Sequence, residues 1–262
     1  LRGLKIGVPG RFGASYSGLT AILTANGMTE SDIQLEAIGF AAADVVCSGG
    51  VDASAVYINN EPLQIQLLAE AGQCGDITGV SVIPIADVAN MVSNGIVTSE
   101  ALIAENPEMV TLVVSAFDRA LLSVIQNPAE AYLISLDYVD GLPITDELRA
   151  FLEERAEGQR QLLAETSDLA VIRESREAFW EALNAEFEPE LIGQIHVLLE
   201  TIKLWEAEDI MIDEDVVQPA QLGYSDETAW AQTAQVLVDL GMLPELPDYV
   251  PAYTNDFLPP MP

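Results

Sequence analysis

The run Gly7 to Gly18, GVPGRFGASYSG, constrains the fold more than any other stretch of this chain. An apolar strand, Leu4 to Val8, enters a turn, and the turn enters a helix that starts on small residues. A helix start of this kind presents free backbone N–H groups and the positive end of a helix dipole. Arg11 adds a cation there, and no other Lys or Arg follows until Arg119. A strand, a glycine turn and a helix in this order predict an α/β fold with a polar small-molecule site at the turn.

The next eighty residues repeat the alternation. The pattern predicts a helix from Ser15 to Asn26 closed by Gly27, a polar turn at Thr29 to Asp32 and a strand from Leu35 to Phe40. A helix follows at Ala41 to Cys47, stopped by Ser48–Gly49–Gly50. The strand Asp52 to Ile58 then ends at Asn59–Asn60–Glu61–Pro62. A helix at Leu63 to Ala71 and a strand at Ser81 to Ile85 complete a mainly parallel sheet. Ligands of such sheets sit at the carboxyl ends of the strands, where both GRFGAS and NNEP fall.

From Ser99 the pattern turns helical. Ser99, Asn106–Pro107 and Asn127–Pro128 read as three helix starts, the third helix running from Ala129 to Tyr138. Thr145 to Glu188 is charged and helical by period, a hairpin or bundle arm carrying Phe151, Leu152, Phe179, Trp180 and Leu183 for packing. His196 to Trp205 continues as an amphipathic helix, an acidic loop spans Glu206 to Asp215, and Ser225 reads as the N-cap of a last helix, Trp230 to Leu240.

Composition narrows the function classes. With 10 Lys and Arg against 42 Asp and Glu, the formal charge is −32. So few cations cannot neutralise a phosphate backbone, which excludes nucleic acid, and the charge opposes docking on an anionic membrane. Cys47 and Cys74 are the only cysteines, open to a bridge or to two thiols. No CxxC or HExxH spacing and no apolar run of membrane-spanning length is present. The chain opens directly on a strand, as a mature or partial product does. Glu153–Glu154 and Asp213–Glu214–Asp215 read as solvated faces, since they lack the alternating oxygen ligands and turn glycine of a calcium loop. Trp205, Tyr224 and Trp230 read as packing residues, and His196 as a satisfied, half-buried histidine.

Several segments, in order, carry a resemblance to a known family. They are LRGLKIGVPGRFGASYSGLTAIL, LEAIGF, SGGVDASAVYINNEPLQIQ, VIPIAD with VSNGIVTSEALIAENPEMV, NPAEAYLISLDYVDGL, and LGYSDETAWAQTAQVLVDLGMLP with AYTNDFLP. Together they resemble the solute-binding proteins of ABC importers, in the branch of sulfonate, nitrate and thiamine-pyrimidine-precursor binders. The glycine loop and NNEP look closest to binders of riboflavin or thiamine precursors.

The resemblance implies a type 2 periplasmic-binding-protein-like α/β fold with two lobes and mainly parallel sheets. Residues 1–87 would form the second lobe and 88–262 the C-terminal part of the first, with a helical insertion at about 143–190. The N-terminal part of lobe one is absent from the pattern. The implied partners are a small-molecule ligand and an importer permease, with a membrane tether through the missing N-terminus and a periplasmic or extracellular, lipid-anchored location. No cofactor and no metal are expected. Enzymatic relatives that make the thiamine pyrimidine use a histidine and a lysine-bound pyridoxal phosphate with a cysteine-rich motif. That motif is lacking here, and Lys5, Lys203 and His196 are the residues left for such a role, so the chain reads as a binder rather than an enzyme. The other reading is a structural or sensory protein that reuses the fold in a surface assembly.

The candidate ligand residues follow. The backbone N–H groups of Gly13, Ala14 and Ser15, after Gly10, hold a polar group, and Phe12 or Tyr16 stacks on a ring. Tyr57, Asn59, Asn60 and Glu61 offer paired donors and acceptors to a heterocycle, with Asn94 as a further contact.

Overall fold

The structure, a computed structural model, describes residues 1–89, 91–92, 94–208, 211–212, 216–217, 223–248 and 252–258. The chain forms two compact units. One comprises Leu1–Gly95 and Ser225–Asn255, the other Ile96–Tyr224 and Asp256–Pro262.

The first unit is built on a parallel sheet of three short strands. β1 (Lys5–Val8) lies between β2 (Gln34–Ala37) and β3 (Ala53–Ser54), in the order β2-β1-β3. Val8 pairs with Ala37 and Gly7 with Ser54, so all three strands end along one edge. The ladders stop there for a local reason. Pro9 has no N–H to donate on the β3 side, and the last links are Ile38 N–H to Val8 O (2.9 Å) and Ala55 N–H to Gly7 O (2.9 Å). The expected strands therefore end early, at Ala37 instead of Phe40 and at Ser54 instead of Ile58. A Cβ at Gly7 would run into the Ile38 side chain, so this glycine sets how closely β1 meets its neighbour.

Helix α1 (Gly13–Ala25) covers the sheet with Leu19 and Leu23, which join Ile6, Val8 and Ile33 in a buried cluster. It ends at Asn26 before Gly27, whose φ of 62° only glycine adopts readily. Helices α2 (Ala42–Cys47) and α3 (Glu61–Glu70) pack around Ala43, Ile65 and Cys74, and a disulfide joins Cys47 to Cys74. The expected strand over Ser81–Ile85 does not form. Val82 and Ile83 are 43% and 60% exposed, with no ladder beside them, and a short 3-10 turn follows at Ile85–Asp87. An apolar run of that length carries no information about whether a neighbouring strand exists.

The second unit is helical: α4 (Glu100–Glu105), α5 (Pro107–Gln126), α6 (Pro128–Ser135), α7 (Asp146–Glu165), α8 (Leu169–Glu186) and α9 (Pro189–Glu208). The sequence punctuates it cleanly. Ser99, Asn106, Asn127, Thr145 and Asp168 each accept a hydrogen bond from the first turn of the helix they start, an interaction worth about 1 kcal/mol apiece. Helices α7 and α8 are the hairpin expected over Thr145 to Glu188. Their apolar faces meet α6 and α9 in a core of Leu148, Leu152, Phe179, Leu183, Ile192 and Ile195. The acidic loop expected from Glu206 is helical as far as Glu208. A two-residue antiparallel ladder, β4 (Met211–Ile212) with β5 (Val216–Val217), follows, while Asp213–Glu214–Asp215 lies outside the described residues.

Residues 225–255 return to the first unit. The cap of α10 (Glu227–Asp239) is Asp226, one residue after the expected Ser225. The Asp226 carboxylate accepts from Ala229 N–H at 2.8 Å, while Ser225 is clipped to Asn255 by two hydrogen bonds. Trp230 stacks on Tyr253 with ring centroids 5.1 Å apart, and Val92 N–H donates to Thr233 Oγ1. Tyr224, expected as packing, is 61% exposed. His196 is buried rather than half-buried. It stacks on Trp180 at 4.5 Å, and its Nε2 has no hydrogen-bond partner. Among the described residues no helix is long and apolar enough to cross a membrane, and no three His, Cys, Asp or Glu converge to hold a metal ion.

Candidate functional site

Three loops leave the carboxyl edge of the parallel sheet: residues 9–12 after β1, 38–41 after β2 and 55–60 after β3. Each leads into a helix. None of those helices, α1, α2 or α3, has a side chain capping its first turn, whereas α4 to α8 and α10 do. α1 also lacks any acidic residue in its first turn. Its first-turn backbone N–H groups, at the edge of the sheet, therefore have no capping side chain to donate to.

The glycine loop is shaped by two contacts. Gly10 is buried beneath the Phe12 ring, and a Cβ at residue 10 would run into that ring. Phe12 takes an extended conformation as the N-cap, and Gly13 follows with φ of 71°, a left-handed value that lets the helix begin immediately. Ala14 is exposed and Ser15 half-buried in the first turn. Phe12 itself is 61% exposed.

The polar residues beside this loop are already engaged. Arg11 forms an ion pair with Glu30, and the Tyr16 hydroxyl donates to the same carboxylate at 3.0 Å. The Arg11 hydrogen bond, with a further one from Tyr16, holds the Glu30 carboxyl below its ordinary pKa. The bond to Glu30 raises that of Tyr16, whose proton it needs. Arg11 thus neutralises a carboxylate at the flank, and Tyr16 is anchored by its hydroxyl with its ring half-buried.

After β3, Tyr57 is 50% exposed, and its backbone N–H donates to Glu61 Oε2 at 3.0 Å. Asn60 Nδ2 donates to Glu61 Oε1 at 3.3 Å, and Asn60 Oδ1 accepts from Gln64 at 2.6 Å. Glu61 closes its own loop with these bonds, and Asn59 sits half-buried in the same turn. Gly10 to Tyr16 and Tyr57 to Glu61 are therefore brought to neighbouring strands of one edge. Asn94 is an exposed loop residue and lies on none of the three edge loops.

Phe40 was not singled out by sequence reasoning. It follows Gly39, whose φ is 60°, and stands 86% exposed after β2. Reading the strand through to Phe40 hid it. The signal available was the glycine before it, which marks a turn between strand and helix. In the helical unit a recess of about 550 Å³ is lined by Asn127, Arg155, Gln159, Ser175 and Phe179 among others, and it contains none of the candidate residues.

Comparison with known proteins places this arrangement. The family model described as NMT1/THI5 like matches residues 1–131, the stretch that contains the parallel sheet and all three edge loops. The chain belongs to the NMT1/THI5-like family. It is also similar to the riboflavin-binding protein RibY of Chloroflexus aurantiacus, with 32% identity over 259 residues, 99% of this chain and 57% of that protein. The chain thus spans somewhat more than half the length of this relative. The resemblance read from the ordered segments is borne out at the level of the NMT1/THI5-like family, and the observed α/β unit with its small parallel sheet agrees with it.

Proposed function

We propose that this chain is the ligand-holding part of an extracytoplasmic solute-binding protein. It takes up a small heterocyclic nutrient, of the riboflavin or thiamine-pyrimidine-precursor type, and presents it to an ABC importer without chemical change. Residues 1–87 correspond to the second lobe of the binding-protein fold, and their sheet edge forms one wall of a cleft that closes by hinge motion. The observation that carries this reading is the coincidence of the family match with an edge of exposed aromatic rings and uncapped helix starts. Ring faces and backbone donors are what a neutral heterocycle requires.

Gly10, Phe12, Gly13, Ala14, Ser15 and Tyr57 are the contacts this geometry favours. Asn59, Asn60 and Glu61 shape the loop that presents Tyr57, and Asn94 is a further contact. A single disulfide in a chain with so few cations supports an oxidising, extracytoplasmic location. The permease and a lipid tether are the partners this reading requires. The test is calorimetric titration of the intact protein with riboflavin, the thiamine pyrimidine, taurine as a sulfonate, and nitrate. Saturable binding of a heterocycle at micromolar concentration or below is expected. Binding of none of the four overturns the reading.

A further inference from the structure

The sheet edge carries one exposed aromatic ring on each of its three loops: Phe40 after β2, Phe12 after β1 and Tyr57 after β3, at 86%, 61% and 50% exposure. We propose that Phe40 is a specificity-determining residue of this edge, which selects a flat ligand of two or three fused rings over a single ring. This rests on the solute-binding reading above and refines the ligand class of the same site.

The argument is geometric. The three strands are parallel, in the order β2-β1-β3, with Val8 level with Ala37 and Gly7 level with Ser54. Adjacent strands lie about 4.8 Å apart, so the outer two leave the edge roughly 10 Å from one another. Phe40 follows Ala37 by three residues and Tyr57 follows Ser54 by three, so both loops rise from the edge by comparable lengths of chain. A single six-membered ring covers less than half that width and meets one or two of the loops. A fused planar system is long enough to lie along the edge and meet all three. Phe12 marks the middle of this line, and its ring is braced against Gly10 beneath it. A benzyl side chain exposed this far has no structural task in its own unit, so its removal leaves the fold in place.

The experiment compares wild type, Phe40→Ala and Phe40→Trp as intact proteins. Three probes are used: lumichrome, a bare three-ring system; riboflavin, the same type of ring with a polar chain; and the thiamine pyrimidine as the single ring. Affinities come from calorimetry, and quenching of ring fluorescence reports stacking. Wild type is expected to favour the fused rings. Phe40→Ala is expected to weaken both about tenfold while changing the pyrimidine by less than twofold, and Phe40→Trp to restore fused-ring affinity and quenching. Equal losses for fused and single rings overturn the proposal, as does fused-ring affinity within twofold of wild type in Phe40→Ala. Wild type that binds the pyrimidine or an anion but no fused ring overturns this inference and leaves the solute-binding reading standing. Wild type that binds no solute overturns that reading, and this inference with it.

Discussion

The Cys47–Cys74 bridge makes a prediction whose size follows from the structure. It ties the last residue of α2 to the turn after α3 and closes a loop with a sequence separation of 27 that contains β3, the Tyr57 turn and α3. The chain-entropy relation for such a loop gives about 3.5 kcal/mol of stabilisation through the unfolded state. Replacing both cysteines by alanine removes this and also the packing of Cys74, which is 1% exposed beside Ala43 and Ile65 and contributes about 1 kcal/mol more. Serine is a poorer choice, because it would bury a hydroxyl without a partner.

Reducing the wild-type bridge keeps both sulfur atoms and isolates the loop effect. The assay is urea unfolding followed by Trp230, which lies in the same unit and stacks on Tyr253, in a Trp180→Phe, Trp205→Phe background that silences the helical unit. This matters because two units need not unfold together. The expected order is oxidised, then reduced lower by about 3.5 kcal/mol, then the double alanine variant slightly lower still. A reduced protein within about 1 kcal/mol of the oxidised one refutes the loop argument. It would show that the unfolded segment is already compact without the bridge.

Three other outcomes follow from named contacts. Leu152→Ala empties a fully buried position between α7 and its neighbours and should destabilise the helical unit by about 2–5 kcal/mol, read from Trp180 fluorescence in urea. Gly10→Ala places a methyl against the Phe12 ring and should weaken ligand binding severalfold in calorimetry while the far-UV spectrum stays unchanged. Burial holds the His196 pKa below 6.5, so below pH 6.5 the unfolded state binds more protons and stability falls with pH until the folded-state value is passed. In His196→Phe, that part of the slope in a pH series of urea midpoints should vanish.

What the sequence made legible and what it hid divide along physical lines. Helix starts written in Asn-Pro, Ser and Thr were readable because capping is local chemistry, settled within four residues. The strand ends were not. Leu35 to Phe40 and Asp52 to Ile58 are mostly apolar, broken by Glu36, Asp52 and Ser54, yet the ladders end at Val8–Ala37 and Gly7–Ser54, where the central strand runs into Pro9. For Asp52 to Ile58 the stop lies on a different strand, outside the run. Leu35 to Phe40 does hold a local sign, Gly39, and reading through it concealed Phe40, while nothing within Ser81–Ile85 tells whether a neighbouring strand exists. For the candidate site, the residue types were legible but their engagement was not. That Glu30 lies fourteen positions from Tyr16 and closes on both it and Arg11 is a consequence of the chain turning back along α1 after Asn26–Gly27.

Charge placement makes the nature of the ligand testable without knowing its name. The chain carries −32, yet the three edge loops, PGRF, IGFA and AVYINN, contain no Asp or Glu. The carboxylates beside the first and third loops are occupied, Glu30 by Arg11 and Tyr16, and Glu61 by Tyr57 N–H and Asn60, while Asp44 stands exposed in the first turn of α2 beyond the second loop. A neutral ring approaching this edge is acted on weakly by these carboxylates and by the surrounding acidic surface at any salt concentration. An anion such as nitrate or a sulfonate is repelled by the whole molecule. The repulsion reaches about 30 Å at 0.01 M salt and about 8 Å at 0.15 M. Affinity for a neutral heterocycle should therefore change by less than twofold between these two conditions, whereas affinity for an anion should rise severalfold with added salt. Calorimetry at the two ionic strengths separates the cases. A heterocycle whose affinity climbs with salt as an anion's does would mean that it binds with negative charge of its own beside an unneutralised carboxylate, Asp44 or a Glu30 or Glu61 released from its partners.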